Sequence, residues 1–133
     1  MKTKQVWANL PAHDVERTRD FYTSLGFRIN GDGGDRNESA SFLVGEADFV
    51  VHFFATERFS NAINGRIADS REVNEVMFTL STDSREEVDE WARNVETAGG
   101  SVFSEPQTIM DKWYGCSFAD PDGHKWNVFY MGE

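Results

Sequence analysis

Ser117-Phe-Ala-Asp-Pro-Asp-Gly-His-Lys-Trp-Asn-Val-Phe-Tyr-Met131 is the stretch whose reading decides the fold. Asp120-Pro-Asp-Gly123 within it reads as a tight turn, because Pro121 presets φ and Gly123 tolerates a positive φ. Strand-like runs flank the turn, Tyr114 to Ala119 and Lys125 to Met131, so the whole is a β-hairpin. Alternation along the second run puts Lys125, Asn127, Phe129 and Met131 on one face, and Trp126, Val128 and Tyr130 on the other. Asn127 is thus a polar residue in the middle of a largely aromatic strand, and what it faces is the functional question. His124, following the turn glycine, is expected to hydrogen-bond across the hairpin. Cys116 shares a face with Tyr114 and Phe118, which predicts burial beneath a helix rather than a reactive thiol.

Upstream, Lys4 to Leu10 alternates Val6, Ala8 and Leu10 against Gln5, Trp7 and Asn9, a strand pattern that Pro11 ends. Asp14 is a good N-cap, and Val15, Thr18, Phe21, Tyr22 and Leu25 then fall on one helical stripe closed by Gly26. Phe27 to Asn30 reads as a short strand, Gly31 to Glu38 as a polar loop. Two more strands follow, Ser39 to Val44 and Asp48 to Ala55, joined by a turn at Gly45. The polar tract 56–74 is a crossing segment with room for a helical turn. Glu75 to Ser81 resumes strand alternation, Ser84 and Glu87 form a capping box, and Val88, Trp91, Ala92, Val95 and Ala98 mark an amphipathic helix. Gly99-Gly100 stops it, and Ser101 to Ser104 is a short strand before the hairpin. Each half therefore runs strand, capped helix, glycine stop, short strand, strand pair. This is an internal βαβββ repeat, with modules over 4–55 and 75–131. One helix per module covers one sheet face and leaves the opposite faces for a concave surface.

A chain of 133 residues reads as one domain with a proper core, and 39% hydrophobic content argues against disorder. No run approaches the ~20 apolar residues of a membrane span, and the opening residues lack the apolar core of a signal peptide. The single cysteine excludes an internal disulfide framework and suits a reducing cytosol, so the expected localisation is cytoplasmic. A formal net charge of -10 argues against nucleic acid or a membrane as partner and is compatible with a cationic ligand. No nucleophile elbow, phosphate loop or paired-cysteine metal motif is present.

Asn9-Leu-Pro11, Asp14 with Arg17, Phe21-Tyr22, Leu25-Gly-Phe27 and Asp120-Pro-Asp-Gly-His124 together resemble the vicinal oxygen chelate superfamily of glyoxalases, extradiol dioxygenases and bleomycin-resistance proteins. The tract Ser81 to Asp89, with Trp113-Tyr-Gly115 and Phe129-Tyr-Met131, looks closer to bacterial predicted lactoylglutathione lyases. The resemblance spans the chain. It implies an α+β fold of two βαβββ modules whose curved mixed sheet surrounds a cavity, helices outside, and commonly a homodimer. It further implies divalent-ion ligands from four strands, which carry over onto Trp7, His52, Glu75 and Asn127. A shifted alignment brings in Asn9.

Trp7 cannot bind a metal, and Asn127 offers a neutral carbonyl where a carboxylate is usual. That leaves His52 and Glu75 as competent ligands for nickel, zinc, manganese or iron, a thin set for such ions. The same pair is the candidate catalytic pair, since a histidine and a carboxylate on facing strands can share a proton. The period-two faces place Trp7, Asn9, Phe54, Met77, Trp113, Ser117, Asn127 and Phe129 in an aromatic-lined ligand pocket. Two functions are compatible with this. One is a lyase or isomerase acting on a small carbonyl or thioether metabolite, with Glu75 moving a proton. The other is a metal-free sequestering protein of the bleomycin-resistance type, taking an aromatic or cationic compound.

Overall fold

A computed structural model describes residues 1–31 and 35–132. Of the anticipated loop from Gly31 to Glu38, positions 32–34 lie outside the described residues. The chain divides into two compact units, Met1–Ile67 and Ala68–Glu133, each built on its own sheet. The first holds β1 (Ala8–Ala12), α1 (Val15–Ser24), β2 (Arg28–Ile29), β3 (Ser39–Val44), β4 (Phe49–Ala55) and α2 (Thr56–Ile63). The second holds β5 (Met77–Ser81), α3 (Arg85–Ala98), β6 (Ser101–Ile109), β7 (Trp113–Ala119) and β8 (Lys125–Tyr130). Both sheets have four strands, in the orders β1-β4-β3-β2 and β5-β8-β7-β6. In each, the first strand pairs parallel with the last and the other pairs are antiparallel. The fold is α+β, and the βαβββ repeat is real at the level of strand order and direction.

Local chemistry sets the helices. Asp14 accepts from the Arg17 N–H at 3.0 Å to start α1, and Ser84 accepts from the Glu87 N–H at 3.2 Å to start α3. Glu87 in turn accepts from the Asp83 N–H at 3.1 Å, one residue earlier than the usual capping box reaches. Each sheet buries one face under its helix. In the first unit Tyr22 stacks on Phe53 at 4.8 Å and packs against Phe42 and Phe27. In the second, Phe118 lies parallel to Trp126 at 6.2 Å and Trp91 covers Phe118 at 6.0 Å. Cys116 is fully buried beneath α3, its Sγ 3.8 Å from the Val88 carbonyl, and burial pushes its thiol up to about 11.

Several strand ends differ from the sequence reading. Pro11 does not end β1 but lies inside it. β1 is an edge strand, where a residue without an N–H costs no ladder bond if its nitrogen faces outward. Residues 4–7 precede the strand and are exposed. β5 starts at Met77 instead of Glu75, because its partner β8 begins at Lys125 opposite Met77 and the chain before Lys125 is committed to the turn. β6 runs on to Ile109 rather than stopping at Ser104. It carries Pro106 on the other sheet's edge, with register shifts on both sides of Ser104, and pairs with a β7 that already includes Trp113. The crossing segment contains a full helix, α2, which ends at a left-handed Asn64 and packs on β1 and β4.

The hairpin of β7 and β8 is held by Asp120. One carboxylate oxygen accepts from the backbone N–H groups of Asp122 (3.0 Å) and His124 (2.9 Å), and the Asp120 N–H donates to the His124 carbonyl at 2.9 Å. Over this turn lies the segment from Ser70 to Asn74. Lys125 Nζ donates to the carbonyls of Ser70 (3.1 Å) and Gly123 (2.6 Å), and Asn74 Nδ2 donates to the Gly123 carbonyl at 3.2 Å. Among the described residues no helix is long and apolar enough to cross a membrane.

Candidate functional site

In the first unit, strand register sets Asn9, His52 and Ser41 side by side across β1, β4 and β3. Just past β2, Asn30 Nδ2 donates to Ser41 Oγ at 3.0 Å, so a polar row crosses this sheet on the face opposite α1. The row beside it is Pro11, Phe54 and Ser39. Trp7 stands edge-on to His52 with ring centres 6.3 Å apart, and the Phe54 ring lies 5.6 Å from the imidazole. Arg58, at the start of α2, places its guanidinium over Phe54 at 5.2 Å. Burial lowers the His52 pKa below 6.5, so the ring is neutral at neutral pH and offers one N–H donor and one lone pair.

This row opens on a cavity of about 260 Å³, lined by Arg19, Asn30, Arg36, Ser39, Ser41, His52 and Phe54 among others. Arg19 is buried and structural in its contacts. It donates to Glu16 on α1 at 2.5 Å and to the carbonyls of Arg36 (2.7 Å) and Ser39 (2.9 Å), which fastens the segment before β3 to the helix. Arg36, on that segment, reaches Glu16 at 3.4 Å and is exposed.

The second unit repeats the arrangement with different chemistry. Thr79, Asn127, Ser117 and Ser104 form a polar row across β5, β8, β7 and β6. Ser117 Oγ donates to Asn127 Oδ1 at 2.6 Å, while Asn127 Nδ2 donates to Thr79 Oγ1 at 3.3 Å and to Met77 Sδ at 2.9 Å. The neighbouring row is Ser81, Phe129 and Gly115. Phe129 lies flat across Gly115, where an added Cβ would meet the ring at 2.2 Å, and Trp113 leans on Phe129 at 5.9 Å. His52 and Asn127 occupy matching places in their sheets, as do Ser41 with Ser117 and Phe54 with Phe129. Imidazole stands where its counterpart is an amide.

The anticipated site residues thus gather in two groups. Trp7, Asn9, His52 and Phe54 belong to the first unit; Met77, Trp113, Ser117, Asn127 and Phe129 belong to the second. Glu75 is also in the second unit, exposed on a bend ahead of β5 rather than at the start of a strand. The sequence reading passed over Asn30, Ser41, Arg36, Thr79 and Ser104. Strand alternation carried a signal for Thr79, which shares a face of its strand with Met77, whereas Ser41 joins the site through its register with His52. Nothing in the order of residues marked Arg36.

The donor set does not fit a tightly held metal ion. Trp7 has no ligand atom, and the Asn127 amide is engaged on both ends within its own sheet. Asp120, Asp122 and His124 are buried with potential ligand atoms within 4.8 Å of one another, but Asp120 is already committed to two backbone N–H groups of the turn. That cluster reads as the hairpin's own pin.

The lowered pKa of His52 couples its titration to stability. Its folded pKa is below the unfolded value, so the unfolded chain binds the proton more readily. Stability should fall as pH drops through about 6.5 and level off once the folded pKa has been passed. Nuclear magnetic resonance of the His52 ring should give a midpoint below 6.5, and His52→Gln should remove this part of the slope. A midpoint at or above the ordinary value would contradict it.

Residues 4–128 match the family model Glyoxalase/Bleomycin resistance protein/Dioxygenase superfamily. The chain belongs to that superfamily. Among solved structures it is similar to a hypothetical protein from S. aureus, with 32% identity, TM-score 0.86, and coverage of 98% of this chain and 95% of that one. A glyoxalase-related enzyme from Fulvimarina pelagi shares the fold at 19% identity and TM-score 0.82, covering 96% of this chain and 88% of the other. A lactoylglutathione lyase from Agrobacterium tumefaciens does so at 21% identity and TM-score 0.68, covering 97% and 95%. Among curated proteins none matches.

Proposed function

We propose that this protein binds a small organic molecule in the cavity beside His52, with its superfamily's metal site reduced. The supporting observation is the cavity itself. It combines a neutral, half-buried imidazole, an aromatic wall at Phe54 and a row of side-chain amide and hydroxyl groups, the mixture expected of a ligand pocket. The engagement of the Asn127 amide by Ser117, Thr79 and Met77 favours binding without a resident ion over metal-dependent lyase chemistry. Proton transfer at a ligand carbon falls to His52 in this reading, with Glu75 as the further candidate that the lyase alternative requires. A homodimer in the cytoplasm, the assembly and compartment implied by the resemblance and the lone buried thiol, completes the proposal.

Metal analysis of the purified protein, followed by titration with nickel, zinc and manganese, tests it. Substoichiometric metal and unchanged melting in chelator are expected. Stoichiometric metal that disappears in His52→Ala would overturn the metal-free reading. Lactoylglutathione formation above background that is lost in Glu75→Gln would establish the lyase alternative instead.

A further inference from the structure

The chain is acidic overall, with a formal charge of -10, which by itself favours a cationic ligand. The cavity beside His52 has the opposite character. Among the described residues its lining includes two arginines, Arg19 and Arg36, and no aspartate or glutamate. The carboxylate paired with both guanidinium groups among the described residues is Glu16, outside the lining. One carboxylate can neutralise only one of these two guanidinium groups. Arg19 holds Glu16 at 2.5 Å and also donates to the Arg36 and Ser39 carbonyls, so Arg36 is the less firmly neutralised of the two. Its contact with Glu16 is long, at 3.4 Å, and solvent-exposed, so it is easily exchanged for a better acceptor.

The rest of the lining supplies donors. Ser41 accepts the Asn30 amide at 3.0 Å, which directs its own hydroxyl hydrogen elsewhere. His52, neutral, carries one N–H. Phe54 supplies a flat apolar surface, with Arg58 over its ring. The volume, about 260 Å³, lies at the small end of ligand pockets and suits a ring with one or two substituents.

We infer that the ligand of this cavity is a small organic carboxylate, its anionic group facing Arg36 with Asn30 and Ser41, and its flat body against Phe54. The inference rests on the cavity being the binding site and adds the charge and class of what it takes. It replaces the cationic compound suggested by bulk charge, because a ligand at contact distance feels the lining more strongly than screened charges a Debye length away.

The test uses three probes that share one ring: benzoate, benzamide and benzylammonium. Binding is followed by chemical-shift changes of the His52 ring and by affinity, in wild type, Arg36→Gln and Arg36→Lys. Benzoate is expected to bind roughly tenfold more tightly than benzamide, as a charge-assisted hydrogen bond allows. Salt should weaken benzoate and spare benzamide. Arg36→Gln should erase the preference, and Arg36→Lys should keep part of it. Arg36 is exposed, and an unchanged melting temperature will confirm that the variants fold. Benzamide or benzylammonium binding as well as benzoate, with His52 perturbed, would overturn the carboxylate assignment and leave the cavity reading standing. A benzoate preference that survives Arg36→Gln would overturn the role given to Arg36. No change at His52 with any probe at millimolar concentration would overturn both readings together.

Discussion

Gly123→Ala is expected to destabilise the protein by about 4 kcal/mol, enough to leave the second unit largely unfolded at physiological temperature. Two effects add. Gly123 has φ +97, a conformation in which an L side chain is strained. Its added Cβ would also lie 2.6 Å from backbone atoms of Ser70 and Arg71, which cannot swing aside as a side chain can. Relieving that contact means lifting the Ser70–Asn74 segment and surrendering the hydrogen bonds from Lys125 and Asn74. Gly26 is the internal control. Its φ is +90, but nothing lies within 4 Å of a Cβ there, so Gly26→Ala should cost only about 1 kcal/mol. Urea denaturation of both variants checks the contrast. Equal losses would mean the clasp over the hairpin contributes nothing.

Trp126→Ala is the second large effect, with an expected loss of about 4 kcal/mol. Trp126 is 1% exposed, the largest fully buried side chain of the described residues. It lies between Phe78 at 4.9 Å and the parallel ring of Phe118 at 6.2 Å. Truncation opens a cavity that these rigid rings cannot refill. Trp126→Phe keeps a ring in the stack and should cost half as much or less. The cavity beside His52 lies in the first unit and Trp126 in the second, so thermal melts of Trp126→Phe should show a modest shift while ligand binding is kept.

The fold was readable because its signals are local. Period-two alternation found the hairpin and most strands, Asp14 and Ser84 announced their helices, and the two halves could be matched element by element. The misplaced boundaries share one cause: pairing partners lie far away in sequence. Pro11 stops a strand only if its neighbour needs the missing N–H, and edge position is not visible in the residues around it. Glu75 alternates correctly with Val76 and Met77, yet β5 cannot reach it because β8 has already turned at His124. The site was less legible for the same reason. Ser41 and Thr79 matter because register sets them beside His52 and Asn127, and Arg36 matters because Arg19 fastens its segment to α1. Tertiary contacts make these residues part of a site; composition and spacing do not.

The parallel pairing of first and last strands within each unit has a consequence for how the chain is made. By the time residue 55 has left the ribosome, β1 has its partner and the first sheet is complete in sequence. β5 waits in the same way, because Met77 to Ser81 pair with Lys125 to Phe129. β8 is interior to its sheet, so until it is translated β5 and β7 are separate fragments with apolar faces that have nothing to close on. Translation thus delivers a finished first module beside a half-made second one. During that interval the nascent chain is most open to mispairing.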